Sequence, residues 1–142
     1  MRQTRSFFVP GRPAPKGSTR SFVSRAGKLV TKADCARTKP WQASVALAAS
    51  AAGIPLVREG VSITLTFRFS RPKSHLKRDG ELKPTSPLGH VSKPDVDKLV
   101  RAVMDGLTGI AYVDDAQVDV IRASKYYTRS GEPEGLWVEV SS

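Results

Sequence analysis

A chain of 142 residues is long enough to bury one hydrophobic core and short for two independent ones, so one domain spanning the chain is expected. Its 23 Lys and Arg against 13 Asp and Glu leave a formal charge of +10, more than solubility requires, and the natural counterpart of such a surface is a polyanion, nucleic acid first. A lone cysteine, Cys35, excludes an internal disulfide and a cysteine-based zinc cluster, and no stretch approaches the ~20 apolar residues of a membrane span, so a soluble cytoplasmic protein with no membrane partner is expected.

Ser6-Phe7-Phe8-Val9 reads as a short strand ending at Pro10-Gly11, and it falls short of the roughly 7–15 apolar residues of a signal segment. Pro13, Pro15 and Gly17 keep the next segment irregular until Ser21-Phe22-Val23 resumes extended structure. The intervening loop carries Arg12, Lys16 and Arg20, spaced to meet phosphates or, as plainly, to be solvated. It lacks the glycine spacing and following helix of a Walker loop.

Trp41 to Ala52 is alanine-rich, with Gly53 and Pro55 as the stop, and Trp41, Val45, Ala48 and Ala52 recur at helical spacing. This predicts a helix with Trp41 in the core rather than stacked on a base. Val61 to Phe69 alternates apolar and polar residues over its whole length, the pattern of a strand with one face on a core. From Ser70 to Lys93 the pattern dissolves into proline, glycine and charge, with Arg71, Lys73, Lys77, Arg78, Lys83 and Lys93 against Asp79 and Glu81. A connection of this length without structure of its own is usually functional or mobile. Its place before an acidic motif predicts a flexible basic flap over 70–93 that orders on DNA; the plainer reading is a disordered surface insertion.

Val96, Leu99, Val100, Val103, Met104 and Leu107 then mark one stripe of a helix at about 100° per residue, while Asp97, Arg101 and Asp105 fall four apart along its polar side. Gln117 to Tyr127 and Leu136 to Val140 read as the last strands, joined by the turn at Ser130-Gly131-Glu132-Pro133. Strands and helices interleave, which gives the fold class α/β: a single domain, a mixed β-sheet and two main helices, at least one of them on a sheet face.

Metal-assisted phosphodiester hydrolysis needs clustered oxygen ligands, because Mg2+ is a hard cation held by one or two carboxylates with water and phosphate oxygens. Asp95, Asp97, Asp114 and Asp115 are the candidates. Pro94 biases Lys93 toward extended backbone and suits the run-in of a helix, so Asp95 and Asp97 lie where the chain leaves a loop and enters the helix, at the positive end of its dipole. Taken alone, Pro94-Asp95 is equally an ordinary helix cap. Arg101 suits a salt bridge to Asp97 or Asp105, and it also suits stabilisation of charge on a pentacoordinate phosphate; it cannot act as a general base. Adjacent strand residues point to opposite faces, so only one of Asp114 and Asp115 is expected at the metal, and parity does not choose between them. Lys125 shares the parity of Asp115, but ten residues of strand is about 33 Å, so DNA contact or surface solvation is expected for it instead.

The run Lys93-Pro94-Asp95-Val96-Asp97-Lys98-Leu99-Val100-Arg101-Ala102-Val103-Met104-Asp105-Gly106-Leu107, followed by Tyr112-Val113-Asp114-Asp115-Ala116-Gln117-Val118, resembles the RusA family of crossover junction endodeoxyribonucleases. Pro10 to Gly17 resembles more weakly the family's N-terminal Gly-x-Pro-x-x-Lys segment. The resemblance implies a RusA-like fold and a homodimer that uses Mg2+, with Mn2+ as a substitute, and no organic cofactor. It implies paired symmetric nicks across four-way junctions in branched DNA, in recombination and repair, and an origin in a phage or prophage. It maps the catalytic acids and metal ligands onto Asp95, Asp97 and Asp115, and the family's catalytic lysine onto Arg101, a departure that keeps the charge but not the proton. Asp114 and Asp105 then take supporting roles, and Arg12, Lys16, Arg20, Lys73, Lys77, Arg78, Lys93 and Lys98 hold the DNA. The rivals are a non-catalytic branched-DNA binder and a nuclease of flaps or duplexes without junction preference.

Overall fold

The alternation across Val61–Phe69 makes one strand the keel of the structure: Val61, Ile63, Leu65, Phe67 and Phe69 are all buried while Ser62, Thr64, Thr66 and Arg68 between them are half-exposed. A strand with one apolar face must lie on a layer that covers it. In the computed structural model, which describes residues 2–17, 20–32 and 35–142 with the side chains of 20–22 and 30–32 outside the described set, two helices supply that layer.

The elements run β1 (Thr4–Pro10), β2 (Arg20–Val23), β3 (Leu29–Lys32), α1 (Thr38–Ala51), β4 (Val61–Phe69), α2 (Val96–Leu107), β5 (Val118–Tyr127) and β6 (Gly135–Ser141). The main sheet has the order β1-β6-β4-β5. β4 pairs parallel with β5 and antiparallel with β6, and β6 pairs antiparallel with β1, so the sheet is mixed. A parallel pair needs a crossover, and α2 provides it between β4 and β5. Phe7 and Val9 of β1 and Leu136, Val138 and Val140 of β6 join the inward face of β4, against Trp41, Val45 and Ala49 of α1 and Leu99, Ala102, Val103 and Leu107 of α2. This is one core in one α/β domain.

Three local differences from the sequence-based expectations have physical causes. Helix α1 begins at Thr38, where a buried hydroxyl donates to the Pro15 carbonyl at 2.6 Å, and Pro40 is tolerated because the first turn needs no N–H donor. Its buried stripe is Thr38, Trp41, Val45 and Ala49, with the expected Ala48 half-buried against the same core, while the expected Ala52 lies just past the helix end, ahead of Gly53 at φ +70°. Strand β3, which the sequence does not announce, pairs with β2 as a two-stranded ribbon, Arg20 opposite Lys32 and Val23 opposite Leu29. Both Val23 and Leu29 are largely exposed, so no apolar periodicity marks them. The segment 70–93 contains a 3-10 turn at Lys73–His75 and a bridge between Leu76 and Leu82. These are local hydrogen bonds, Lys77 N to Glu81 O at 2.8 Å and Lys83 N to His75 O at 2.9 Å among them, and they leave no hydrophobic signature.

Candidate active site

Helix α2 carries the first two candidate acids at its N-terminus. Asp95 sits at the cap position with extended backbone, φ −68° and ψ 142°, yet its side chain caps no N–H; among the described residues its carboxylate faces Lys98 Nζ alone, at 3.8 Å. Capping would have consumed that carboxylate, and it is not consumed. Asp97 follows in the first turn, exposed and with no hydrogen bond or ion pair among the described residues. One turn on, Arg101 is exposed and likewise without a carboxylate partner among the described residues, so the expected bridge to Asp97 or Asp105 does not form. Asp105 is taken instead by Lys16, whose ammonium bonds its carboxylate. The loop after β1 is docked there by its backbone too, Lys16 N donating to Lys98 O at 3.0 Å.

Asp114 and Asp115 separate in role. The chain makes a 3-10 turn at Asp115–Gln117 before β5 begins, so strand parity, the rule applied to this pair from sequence, does not reach back to it. Asp114 caps that turn, accepting from Ala116 N at 2.9 Å, and the Gln117 side chain reciprocates to Asp114 N at 2.9 Å. Asp115 is exposed, and its carboxylate has no partner among the described residues. Nearby, Tyr112 is fully buried and donates to the Met104 carbonyl at 2.8 Å. Burial first of all pushes its hydroxyl up to about 12, with the charges of Asp115 and Asp105 adding to the rise and a hydrogen bond with Thr108 opposing it. The Asp115 charge is thus felt at Tyr112, in the connection between α2 and β5.

The basic candidates divide likewise. Arg12 pairs with Glu134 at 3.0 Å and lies over the Phe69 ring. Lys16 holds Asp105, and the side chain of Arg20 lies outside the described residues. Lys73, Lys77, Arg78 and Lys93 are exposed and form no ion pair among the described residues, and Lys98 is the half-buried neighbour of Asp95. The base of segment 70–93 is tied to the sheet end: Arg71 stacks 4.4 Å from the Tyr127 ring centroid and donates to the Pro87 and Leu88 carbonyls, and His90 is buried between Phe69 and Tyr127. Burial, reinforced by the charges of Lys125 and Arg12, holds His90 below the usual histidine range and favours its neutral form.

Lys125 is where the structure departs most from the sequence-based expectation. Its ammonium donates to the Ser92 carbonyl at 2.8 Å and the Pro94 carbonyl at 2.9 Å, directly behind Asp95. The length of β5 does carry it away from Asp115, but toward the start of α2. The sequence holds the lysine and its strand without the pairing of β5 beside β4 that sets where the strand ends.

A hard divalent cation fits these residues by donor chemistry. Such an ion takes one or two carboxylates with the rest of its shell from water and phosphate, and Asp95 and Asp97 are oxygen donors, both exposed, at one helix end. Among the described residues no group of three or more His, Cys, Asp or Glu side chains is gathered tightly enough to hold a metal. No helix among the described residues is long and apolar enough to cross a membrane.

Comparison with known proteins agrees with this fold. The family model described as Endodeoxyribonuclease RusA matches residues 10–141, which takes in the basic loop after β1, both helices and strands β4, β5 and β6 of the main sheet, with β1 contributing only its last residue. The chain is 34% identical over 139 residues to the uncharacterized protein YqaN of Bacillus subtilis (strain 168), with 96% of each chain covered. The protein belongs to the RusA family of endodeoxyribonucleases.

Proposed function

We propose that this protein is a Mg2+-dependent endonuclease that resolves Holliday junctions by paired symmetric nicks, acting in the cytoplasm as a homodimer in DNA recombination and repair. The observation that carries the reading is the uncommitted state of Asp95 and Asp97: two exposed carboxylates at a helix start, neither one spent on capping, in a chain of net charge +10. Carboxylates left free on a surface built to attract phosphate cost binding energy unless they do chemistry.

In this reading Asp95 and Asp97 hold the ion. Asp115 is assigned as the third ligand on the resemblance of Asp114-Asp115-Ala116-Gln117-Val118 to the family rather than on a gathered cluster; of the adjacent pair it is the one whose carboxylate is free while Asp114 secures the turn. When bound, Mg2+ or Mn2+ supplies Lewis acidity toward a phosphoryl oxygen and makes water more acidic. Arg101, always protonated, neutralises charge on the scissile phosphate and moves no proton. Lys73, Lys77, Arg78, Lys93 and Lys98 contact the backbone of the arms, which positions DNA without reading sequence. Arg12 and Lys16 do the same from the loop docked on α2, with Asp105 orienting Lys16. A four-way junction has two-fold character, and an isologous dimer presents equivalent sites to opposed strands.

Asp97→Asn tests this. Loss of partners that merely orient a metal's ligands costs roughly 10–100-fold, so loss of a ligand itself is expected to lower junction nicking by roughly 100-fold or more. Junction binding is retained or strengthened, because a negative charge facing phosphate has gone. Nicking by the variant at near wild-type rate would refute the assignment.

A further inference from the structure

We propose that Lys125 is a positioning residue for the Asp95–Asp97 site: its ammonium clamps the backbone that delivers Asp95, and so sets the affinity for the divalent ion. The inference rests on the reading that Asp95 and Asp97 bind that ion. Lys125 reaches from β5 to the segment ahead of α2, donating to the Ser92 carbonyl at 2.8 Å and the Pro94 carbonyl at 2.9 Å. The Pro94 carbonyl belongs to the same planar peptide unit as Asp95 N, so its bond to Lys125 fixes that plane and the direction in which the Asp95 side chain leaves the chain. On the other side the Asp95 carbonyl accepts from Leu99 N at 3.1 Å, the first bond of α2. Asp95 is thus held through its flanking peptide groups, while its own side chain makes no capping bond and only a loose contact with Lys98.

A lysine suits this task. Its ammonium is a compact charge with three donors, and two carbonyls in hydrogen-bond range use two of them. The residue is half-buried, and its bonds to the Ser92 and Pro94 carbonyls turn the ammonium toward the backbone behind Asp95 rather than out to solvent. Charge-assisted bonds of this kind contribute more than neutral ones. The clamp joins the far end of β5 to the start of α2, tying the crossover helix to its own strand.

Positioning and bare charge predict opposite signs. Removing a cation near a metal site without other effect strengthens cation binding; removing the clamp weakens it. The experiment is a titration of the metal-free full-length protein with Mn2+, followed by electron paramagnetic resonance, for wild type, Lys125→Met, Lys125→Arg and Asp97→Asn, with thermal midpoints and junction binding in EDTA measured alongside. Lys125→Met is expected to weaken Mn2+ binding by about 10–100-fold, the range for groups that orient ligands, with junction binding in EDTA close to wild type. Lys125→Arg, which keeps the charge and can still reach the carbonyls, is expected to recover most of the affinity. Unchanged or tighter Mn2+ binding by Lys125→Met overturns the proposal. So does an equal loss in Met and Arg variants that follows their thermal midpoints, the mark of a merely structural lysine. If wild type binds no Mn2+, or Asp97→Asn binds it as wild type does, the underlying reading of the site falls first; loss in Asp97→Asn alone overturns the role of Lys125 and leaves the site standing.

Discussion

Gln117 ties together the backbone around Asp114 and Asp115. Its side-chain oxygen accepts from Val113 N at 2.8 Å and Asp114 N at 2.9 Å, and its nitrogen donates to the carbonyls of Val57 at 3.0 Å and Glu59 at 2.9 Å. Four backbone groups from two segments depend on one amide, and each bond replaces one that water would make in the unfolded chain. Gln117→Ala strands several of them, and the expected loss is about 1–3 kcal/mol of unfolding free energy, read as a lower urea midpoint. A midpoint equal to wild type would contradict the clamp. At this scale the sequence is a partial guide. The adjacent Asp114 and Asp115 stand out, but their separation into a capping residue and a free one depends on a 3-10 turn that a single glutamine closes, and strand parity is the wrong rule for it. Lys125 escapes for a related reason: the neighbour it reaches lies 31 residues away in sequence.

Elements with strong periodicity are legible in the sequence, and those held by local bonds or pairing are not. The alternation over Val61–Phe69 matches β4 residue for residue, and the apolar stripe from Val96 to Leu107 matches the bounds of α2, although Val96 itself is exposed and Ala102 joins the buried face. Period identifies which face is buried but says nothing of which strand lies alongside, so the parallel partnership of β4 and β5 is out of its reach. The junction of β1 and β6 shows how tight the pairing is. Gly135 starts β6 opposite Pro10, and a Cβ built there would lie 2.5 Å from both the Phe8 ring and the Val9 carbonyl oxygen. Because a backbone atom is one of the two obstacles, a rotamer change cannot relieve the clash. Gly135→Ala is expected to cost about 1–3 kcal/mol, the range for overpacking, seen as a lower thermal midpoint. A variant as stable as wild type would show that β1 and β6 can part at no cost.

Across the whole molecule, charge and topology converge. The excess of 23 basic over 13 acidic residues points to a polyanion as partner but does not choose among DNA, RNA and an anionic membrane surface; the match to the RusA endodeoxyribonuclease family favours DNA. The fold then puts its uncommitted carboxylates at the start of the crossover helix, beside a segment whose Lys73, Lys77, Arg78 and Lys93 are exposed and unpaired among the described residues. In the proposed reading the acids do the chemistry and the basic segment that leads into α2 holds the DNA. The most direct test is a gel assay of the wild-type protein with end-labelled four-way junction, flap and linear duplex, each with and without Mg2+. The expected result is paired, symmetric nicks in the junction only when Mg2+ is present, with flap and duplex left largely uncut. Binding without cleavage in Mg2+ and Mn2+ alike, or cutting of linear duplex as readily as of the junction, would contradict it.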